Sequence, residues 1–129
     1  MSQFVVHGRR AVLAPLRATV SEVLHDAAVA VLGLPADKRF HRFVLMDDED
    51  FPTPPHRSER YTIVEVMMFS GRTLATKKAF YAALFAGFES RLGITPDDLE
   101  IHLLETPRHD WGIRGQAGDD LALPYEVER

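Results

Sequence analysis

Arg72 is the cation whose setting most suggests chemistry. It follows Phe69-Ser70-Gly71, where a strongly apolar run gives way to a helix-compatible one. Backbone N–H groups and the dipole at a helix start favour an anion there, and a guanidinium can hold a carboxylate through two parallel hydrogen bonds. A second basic group, Lys38, Arg39, His41 and Arg42, opens a strand-like run. Alternation puts Arg39 and His41 on one face, Phe40 and Arg42 on the other. Lys38 reads as a site residue. His41 and Arg42 read as ion-pair partners of the acidic run Asp47-Asp48-Glu49-Asp50 across a subunit interface. Trp111 and Arg114 share the glycine-bearing turn Trp111-Gly112-Ile113-Arg114-Gly115. A lone Trp is first a core or interface residue and second a pocket wall. The six histidines lack metal-ligand spacing and there is no cysteine. No metal or cofactor is expected.

The elements that must position these groups come in two copies. Leu32-Gly33-Leu34-Pro35-Ala36-Asp37 returns sixty positions on, from 32 to 92, as Leu92-Gly93-Ile94-Thr95-Pro96-Asp97, and each copy runs on into strand formers. Leu-Gly at the end of an amphipathic run signals a left-handed helix cap. A shared offset signals a duplicated unit.

In the first copy, Gln3 to His7 reads as a strand. Pro15 suits the first turn of a helix whose apolar positions Leu16, Val20, Val23, Leu24, Ala27, Val31 and Leu32 keep a 3.6-residue period. Arg39 to Leu45 follows as a strand. In the second copy, Tyr61 to Phe69 is apolar enough for a strand covered on both faces. Thr73 is a candidate N-cap. Leu74, Tyr81, Leu84, Phe85, Phe88 and Leu92 form the buried stripe of the helix, and Leu99 to Leu104 the fourth strand. Strand, long helix and strand require a parallel crossover.

The chain therefore reads as one domain over residues 1–129, with repeats at 1–46 and 61–105. A proline-rich linker loop spans 47–60, and a tail, 106–129, ends in a strand-like Leu121 to Val127. Two architectures fit: a ferredoxin-like sandwich with a free sheet face, or paired βαβ units that oligomerise. The aromatic-rich second helix, the apolar third strand and the long tail favour the second.

Composition narrows the function classes. A hydrophobic fraction of 46% and a charged fraction of 26% suit an ordinary globular domain. The net charge of -4 opposes a general nucleic-acid binder, which needs a basic footprint. No apolar run approaches the ~18 residues of a membrane span, and the first residues lack a signal-peptide pattern, so a cytoplasmic location is expected.

Taken together, several blocks resemble the tautomerase superfamily: the duplication, Asp37-Lys38-Arg39-Phe40-His41-Arg42-Phe43, Met68-Phe69-Ser70-Gly71-Arg72-Thr73 followed by Thr76-Lys77-Lys78, and Glu105-Thr106-Pro107 with Trp111-Gly112-Ile113-Arg114-Gly115. They resemble most the tautomerase-like proteins near the malonate semialdehyde decarboxylases, over essentially the whole chain. The resemblance implies a tautomerase/MIF-like α/β fold: a four-stranded sheet with two helices on one face, assembled as a homotrimer with active sites near subunit interfaces. It also implies a small keto or enol acid as substrate, no cofactor, and no nucleic-acid or membrane partner.

In that family the amine of an N-terminal proline, exposed by loss of the initiator Met, is the acid or base. Ser2 occupies its place here. An α-amine has a reference pKa of about 7.7–8.0, and burial beside Arg72 and Lys38 would lower it. A primary amine could then act as a base or form a Schiff base. Catalytic Ser2 and Arg72, with Lys38, Arg114 and Trp111 binding the acid, make up the expected site, and enol–keto tautomerisation of a small 2-oxo acid the expected reaction. The decarboxylase branch places an acidic residue before the arginine matching Arg39, where Lys38 stands, and a second arginine where Ser70 stands. Decarboxylation is therefore not directly supported. The alternative is a weakened or inactive trimer that binds a small carboxylic acid or a partner protein.

Overall fold

The structure, a computed structural model, describes residues 2–129. Strand β1 (Ser2–Arg9) leads into an unbroken helical run: α1 (Arg10–Leu13), a 3-10 turn over Ala14–Leu16, α2 (Arg17–Ala27) and a π-helical end over Ala28–Leu32. Then come β2 (His41–Met46), β3 (Thr62–Phe69), α3 (Leu74–Leu92), β4 (Leu99–Thr106), and the two-residue strands β5 (Gly112–Ile113) and β6 (Gln116–Ala117). The first helix starts before Pro15, not at it. The 3-10 turn containing Pro15 tolerates its missing N–H without ending the run.

The main sheet has the order β2-β1-β3-β4. β1 and β2 are parallel, β3 and β4 are parallel, and β1 meets β3 antiparallel at the centre. Each βαβ unit keeps its own two strands adjacent. That arrangement is the paired-unit architecture, not the split one of ferredoxin-like sandwiches.

Both helix caps are as the Leu-Gly pairs predict. Gly33 and Gly93 take φ of 70° and 68°, a conformation that suits glycine. Beyond them Leu34 N–H donates to Ala28 O and Ile94 N–H to Phe88 O, each at 3.2 Å, closing Schellman-type ends. Thr73 caps α3, its Oγ1 accepting from Thr76 N–H at 3.2 Å.

The core lies between the helices and one face of the sheet, where Phe4, Val6, Val64, Val66 and Met68 meet Leu13, Val20, Leu24, Phe80, Leu84 and Phe88. Leu74 does not join the stripe of α3: it is 66% exposed, at the first helical position. Phe80 takes the buried place instead, while Tyr81 and Phe85 are only partly covered. On the opposite face, Ile63, Glu65 and Met67 of β3 alternate with the fully buried positions and stay partly accessible, so within one protomer this strand is covered on one face only.

One further expectation is corrected. Residues 121–127 form no strand; they run as bends and turns across the molecule. Within the protomer, Asp48 pairs with Arg9 of its own chain at 3.1 Å. Arg9 also donates to Phe51 O and Thr53 Oγ1, so the linker is stitched back onto β1. His41 turns inward onto the Phe4 ring, 5.0 Å between centroids, with Nδ1 2.7 Å from Ser21 Oγ. Burial, with Arg39 and His25 nearby, lowers its pKa to about 4.

Candidate functional site

Five of the residues that line the best-formed cavity, of about 170 Å³, come from parts of the chain far apart in sequence: Ser2, Lys38, Phe40, Arg114 and Tyr125. Ser2 opens the central strand β1 and is 3% exposed. Antiparallel register with Met68 holds its backbone, and its hydroxyl has no hydrogen-bond partner among the described residues. Lys38 ends the turn after the first helix, where its N–H donates to Pro35 O at 3.1 Å. That turn also contributes Leu34 and Pro35 to the cavity wall.

Arg114 reaches the cavity from the tip of a hairpin. β5 and β6 pair as Gly112↔Ala117 and Ile113↔Gln116, leaving Arg114 and Gly115 as the two turn residues. Both have positive φ, 49° and 82°, as a type I′ turn demands. Gly115 takes this freely; Arg114 does so at a cost of roughly 1 kcal/mol. Backbone strain in a non-glycine residue gathers at functional positions, and here it aims a guanidinium at the pocket that holds Ser2 and Lys38.

The other two expected site residues lie elsewhere in the protomer. Trp111 packs edge-on against Phe69, 5.1 Å between centroids, and its Nε1–H donates to Thr106 Oγ1 at 2.8 Å. It lines a separate surface hollow under the hairpin. Arg72 is 5% exposed and lies beneath the tail. Its Nη1 donates to Phe69 O at 3.3 Å, while Nε and Nη2 are buried without a hydrogen-bond partner. The guanidinium sits 6.0 Å from the Tyr125 ring centroid and interacts with the Tyr125 hydroxyl. Burial lowers the Arg72 pKa from its ordinary value, with Tyr125 and Glu105 opposing the shift. Tyr125 moves the other way: burial raises its pKa, against the pull of Arg72.

The cavity wall that sequence reasoning missed is the tail segment Ala122-Leu123-Pro124-Tyr125. Its alternating apolar residues mimic a strand, and nothing in them tells which part of the molecule they cover. Among the described residues, no group of three or more His, Asp or Glu could hold a metal ion. None of the described helices is long and apolar enough to cross a membrane.

What this arrangement can do is bind a small anion. Two cations and a buried strand terminus surround a space with mostly apolar walls, so a carboxylate would find charge-assisted partners with little competing water.

Known proteins share this shape. The structure superposes on a malonate semialdehyde decarboxylase inhibited by 3-bromopropiolate, with a TM-score of 0.82 and 27% identity over 95% of this chain and 99% of the other. A fused 4-OT solved as an asymmetric trimer matches at a TM-score of 0.79, with 19% identity over 91% and 96%. A member of the cis-3-chloroacrylic acid dehalogenase family matches at 0.78, with 18% identity over 89% and 82%. At 18–19% identity the last two establish a common fold. The family model described as tautomerase enzyme matches residues 38–114, a stretch running from Lys38 in the cavity wall to Arg114 at the hairpin tip. With that match over more than half of the chain and the same fold throughout, this protein belongs to the tautomerase family.

Proposed function

We propose that the chain catalyses enol–keto tautomerisation of a small 2-oxo acid, with the α-amine of Ser2 moving the proton. The observation that carries this reading is the convergence of Ser2, Lys38 and Arg114 on one cavity. Lys38 and Arg114 hold the substrate carboxylate. The neutral amine accepts the hydroxyl proton of the enol and, as an ammonium, gives a proton to C3. One O–H bond is lost and one C–H bond is made, and the amine returns to its starting state. The two cations favour the neutral amine before the reaction and stabilise negative charge on the substrate oxygen during it. The reaction requires removal of Met1, which lies outside the described residues.

A homotrimer belongs to the same proposal. The sheet face opposite the helices carries Val5, Val44, Ile63, Met67 and Leu104 without a covering layer in the protomer, and Val44 is 41% exposed. Fused 4-OT proteins of this fold assemble as symmetric and asymmetric trimers.

The test is ketonisation of phenylenolpyruvate by protein whose Ser2 terminus is verified by intact mass. Processed protein should turn over, Ser2→Pro should equal or exceed it, and light scattering should give a trimer mass. Arg114→Ala should lose about ten- to hundredfold in kcat/KM, the ~1.5–3 kcal/mol of a charge-assisted hydrogen bond. No turnover by either processed protein across a panel of small enol acids would reject the enzyme. Binding of those acids without turnover would leave the non-catalytic acid-binding reading, which the serine in place of the proline favours.

A further inference from the structure

Four polar side chains line the cavity of Ser2, and three of them already have a use. Lys38 and Arg114 are cations whose side chains only donate hydrogen bonds, which suits them to a carboxylate. The Tyr125 hydroxyl is engaged by Arg72. The fourth is Ser2 itself, 3% exposed, with its Oγ buried and without a hydrogen-bond partner among the described residues.

Nothing around this hydroxyl can relieve it. Ser2, Phe4 and Val6 share the buried face of β1, and Met68 stands opposite Ser2 on β3, so the sheet offers only apolar neighbours. β2 pairs with β1 only from Phe4 onward, which leaves Ser2 without a strand on that side. The remaining cavity walls are apolar: Leu34, Pro35 and Phe40 before β2, and Ala122, Leu123 and Pro124 in the tail. A hydroxyl held in such a place carries its full desolvation cost until something in the cavity bonds to it.

We propose that the Ser2 hydroxyl binds an oxygen at C2 of the acid, the carbon next to the carboxylate, and so selects 2-oxygenated acids over acids that lack this oxygen. The inference rests on the reading that the cavity takes a small acid, but it concerns the side chain of Ser2 and not its amine. In a cavity of about 170 Å³, a group that shares the wall with both cations reaches the carbon beside the carboxylate, not a remote end. The O–H donates to a lone pair of the C2 oxygen, which accepts as a ketone, an enol or an alcohol. The amine and the hydroxyl, on adjacent carbons of one residue, then address one substrate oxygen. The first takes the enol proton, and the second stabilises the oxygen as negative charge gathers on it. A proline in this position has no side-chain donor for that task. An acid without the C2 oxygen leaves the hydroxyl buried and unpaired, which is how a polar site rejects an analogue.

The experiment is an NMR titration of processed protein, its Ser2 terminus verified by intact mass, with the two enantiomers of lactate and with propionate. These acids carry the same charge and differ by the C2 hydroxyl. Neither has a carbonyl, so the amine cannot separate them by forming a Schiff base. The tighter enantiomer of lactate should bind about tenfold better than propionate. Ser2→Ala keeps a primary amine and still permits loss of Met1; it should bring the ratio within about twofold by weakening lactate. Ser2→Thr, which keeps a hydroxyl, should retain the preference. Without ligand, Ser2→Ala should melt no lower than the wild type, because the hydroxyl it deletes has no bond to lose.

Equal binding of lactate and propionate by the wild type, or a preference that persists in Ser2→Ala, would overturn the assignment and leave the acid-binding cavity standing. A melting temperature several degrees lower in Ser2→Ala would also overturn it, since the hydroxyl would then be bonded in the free protein. If neither acid binds, the acid-binding reading falls and the assignment with it. If the preference follows the hydroxyl but no enol acid is turned over, the proposed reaction fails and the role of the hydroxyl stands.

Discussion

The turn after the first helix and the turn after α3 are two copies of one device put to opposite uses. Both begin with a left-handed glycine, Gly33 and Gly93, followed by a buried apolar residue, Leu34 and Ile94. Both close with an equivalent hydrogen bond, Lys38 N–H to Pro35 O and Asp98 N–H to Thr95 O. At that shared position the first copy carries Lys38, which lines the cavity. The second carries Asp98, 7% exposed, which accepts from Ser58 N–H at 2.8 Å and from Ser58 Oγ at 2.5 Å. The second turn thus clasps the linker to the domain, while the first leaves its charged side chain in the cavity wall. Duplication supplies two equivalent frames. What packs over each frame, the linker on one and the tail on the other, decides which one faces the cavity.

Exchanging the demands on the two frames is the strongest way to test this. Asp98→Ala removes a buried carboxylate and leaves the Ser58 N–H without its acceptor, so it should cost about 3 kcal/mol of stability in a denaturant titration, with binding of small acids kept. Lys38→Ala should do the reverse. Its stability should stay within about 0.5 kcal/mol of the wild type, while affinity for a small carboxylate falls about ten- to hundredfold, the ~1.5–3 kcal/mol of a charge-assisted hydrogen bond. Equal losses of stability in both would erase the contrast.

The caps should give a smaller and more even effect. Gly33→Ala and Gly93→Ala each place a Cβ in the left-handed region, at roughly 1–2 kcal/mol. They should differ in where the effect travels. A Cβ on Gly33 collides with the Arg129 guanidinium, whereas on Gly93 the nearest group, Arg60 Nη1, is 3.8 Å away. Limited proteolysis should therefore show the tail loosened by Gly33→Ala and undisturbed by Gly93→Ala.

The smallest predicted difference is a pH slope. Sixty positions after His41 stands Ile101, so the same inward place on the sheet is titratable in one unit and apolar in the other. His41 is neutral in the folded state down to about pH 4, while in the unfolded chain it takes up a proton near its ordinary 6.5. Between those values the unfolded state binds more protons, so this group lowers stability as pH falls through that window and is silent above it. His41→Ile should flatten the loss of melting temperature between pH 6.5 and 4. An unchanged slope would show that His41 is not its source.

Much of the frame was legible in the residues because it rests on local chemistry. The Leu-Gly caps, the Thr73 N-cap and the 3.6-residue stripe of the first helix are contacts between neighbours in sequence, and each forms where its residue types predict. The duplicated offset carried the pairing of strands within each unit. Lys38 and Arg114 could be named as basic residues at element ends, whereas Ser2 was named only through the family resemblance.

Three matters were decided only in three dimensions. Leu74 and Phe80 exchange roles because the exact start of α3 above the sheet sets which face of its first turns is covered. Trp111 goes to Phe69, not to the cavity, because the hairpin folds back on the end of β3. Tyr125 covers Arg72 through a path fixed by anchors such as Arg108 and Thr76, far from it in the chain. Helix periods, caps and turns are energies between near neighbours, so the sequence by itself determined the elements and their order. Which charged group meets a cavity, and which is sealed under the tail, depends on packing between segments whose encounter no local pattern encodes.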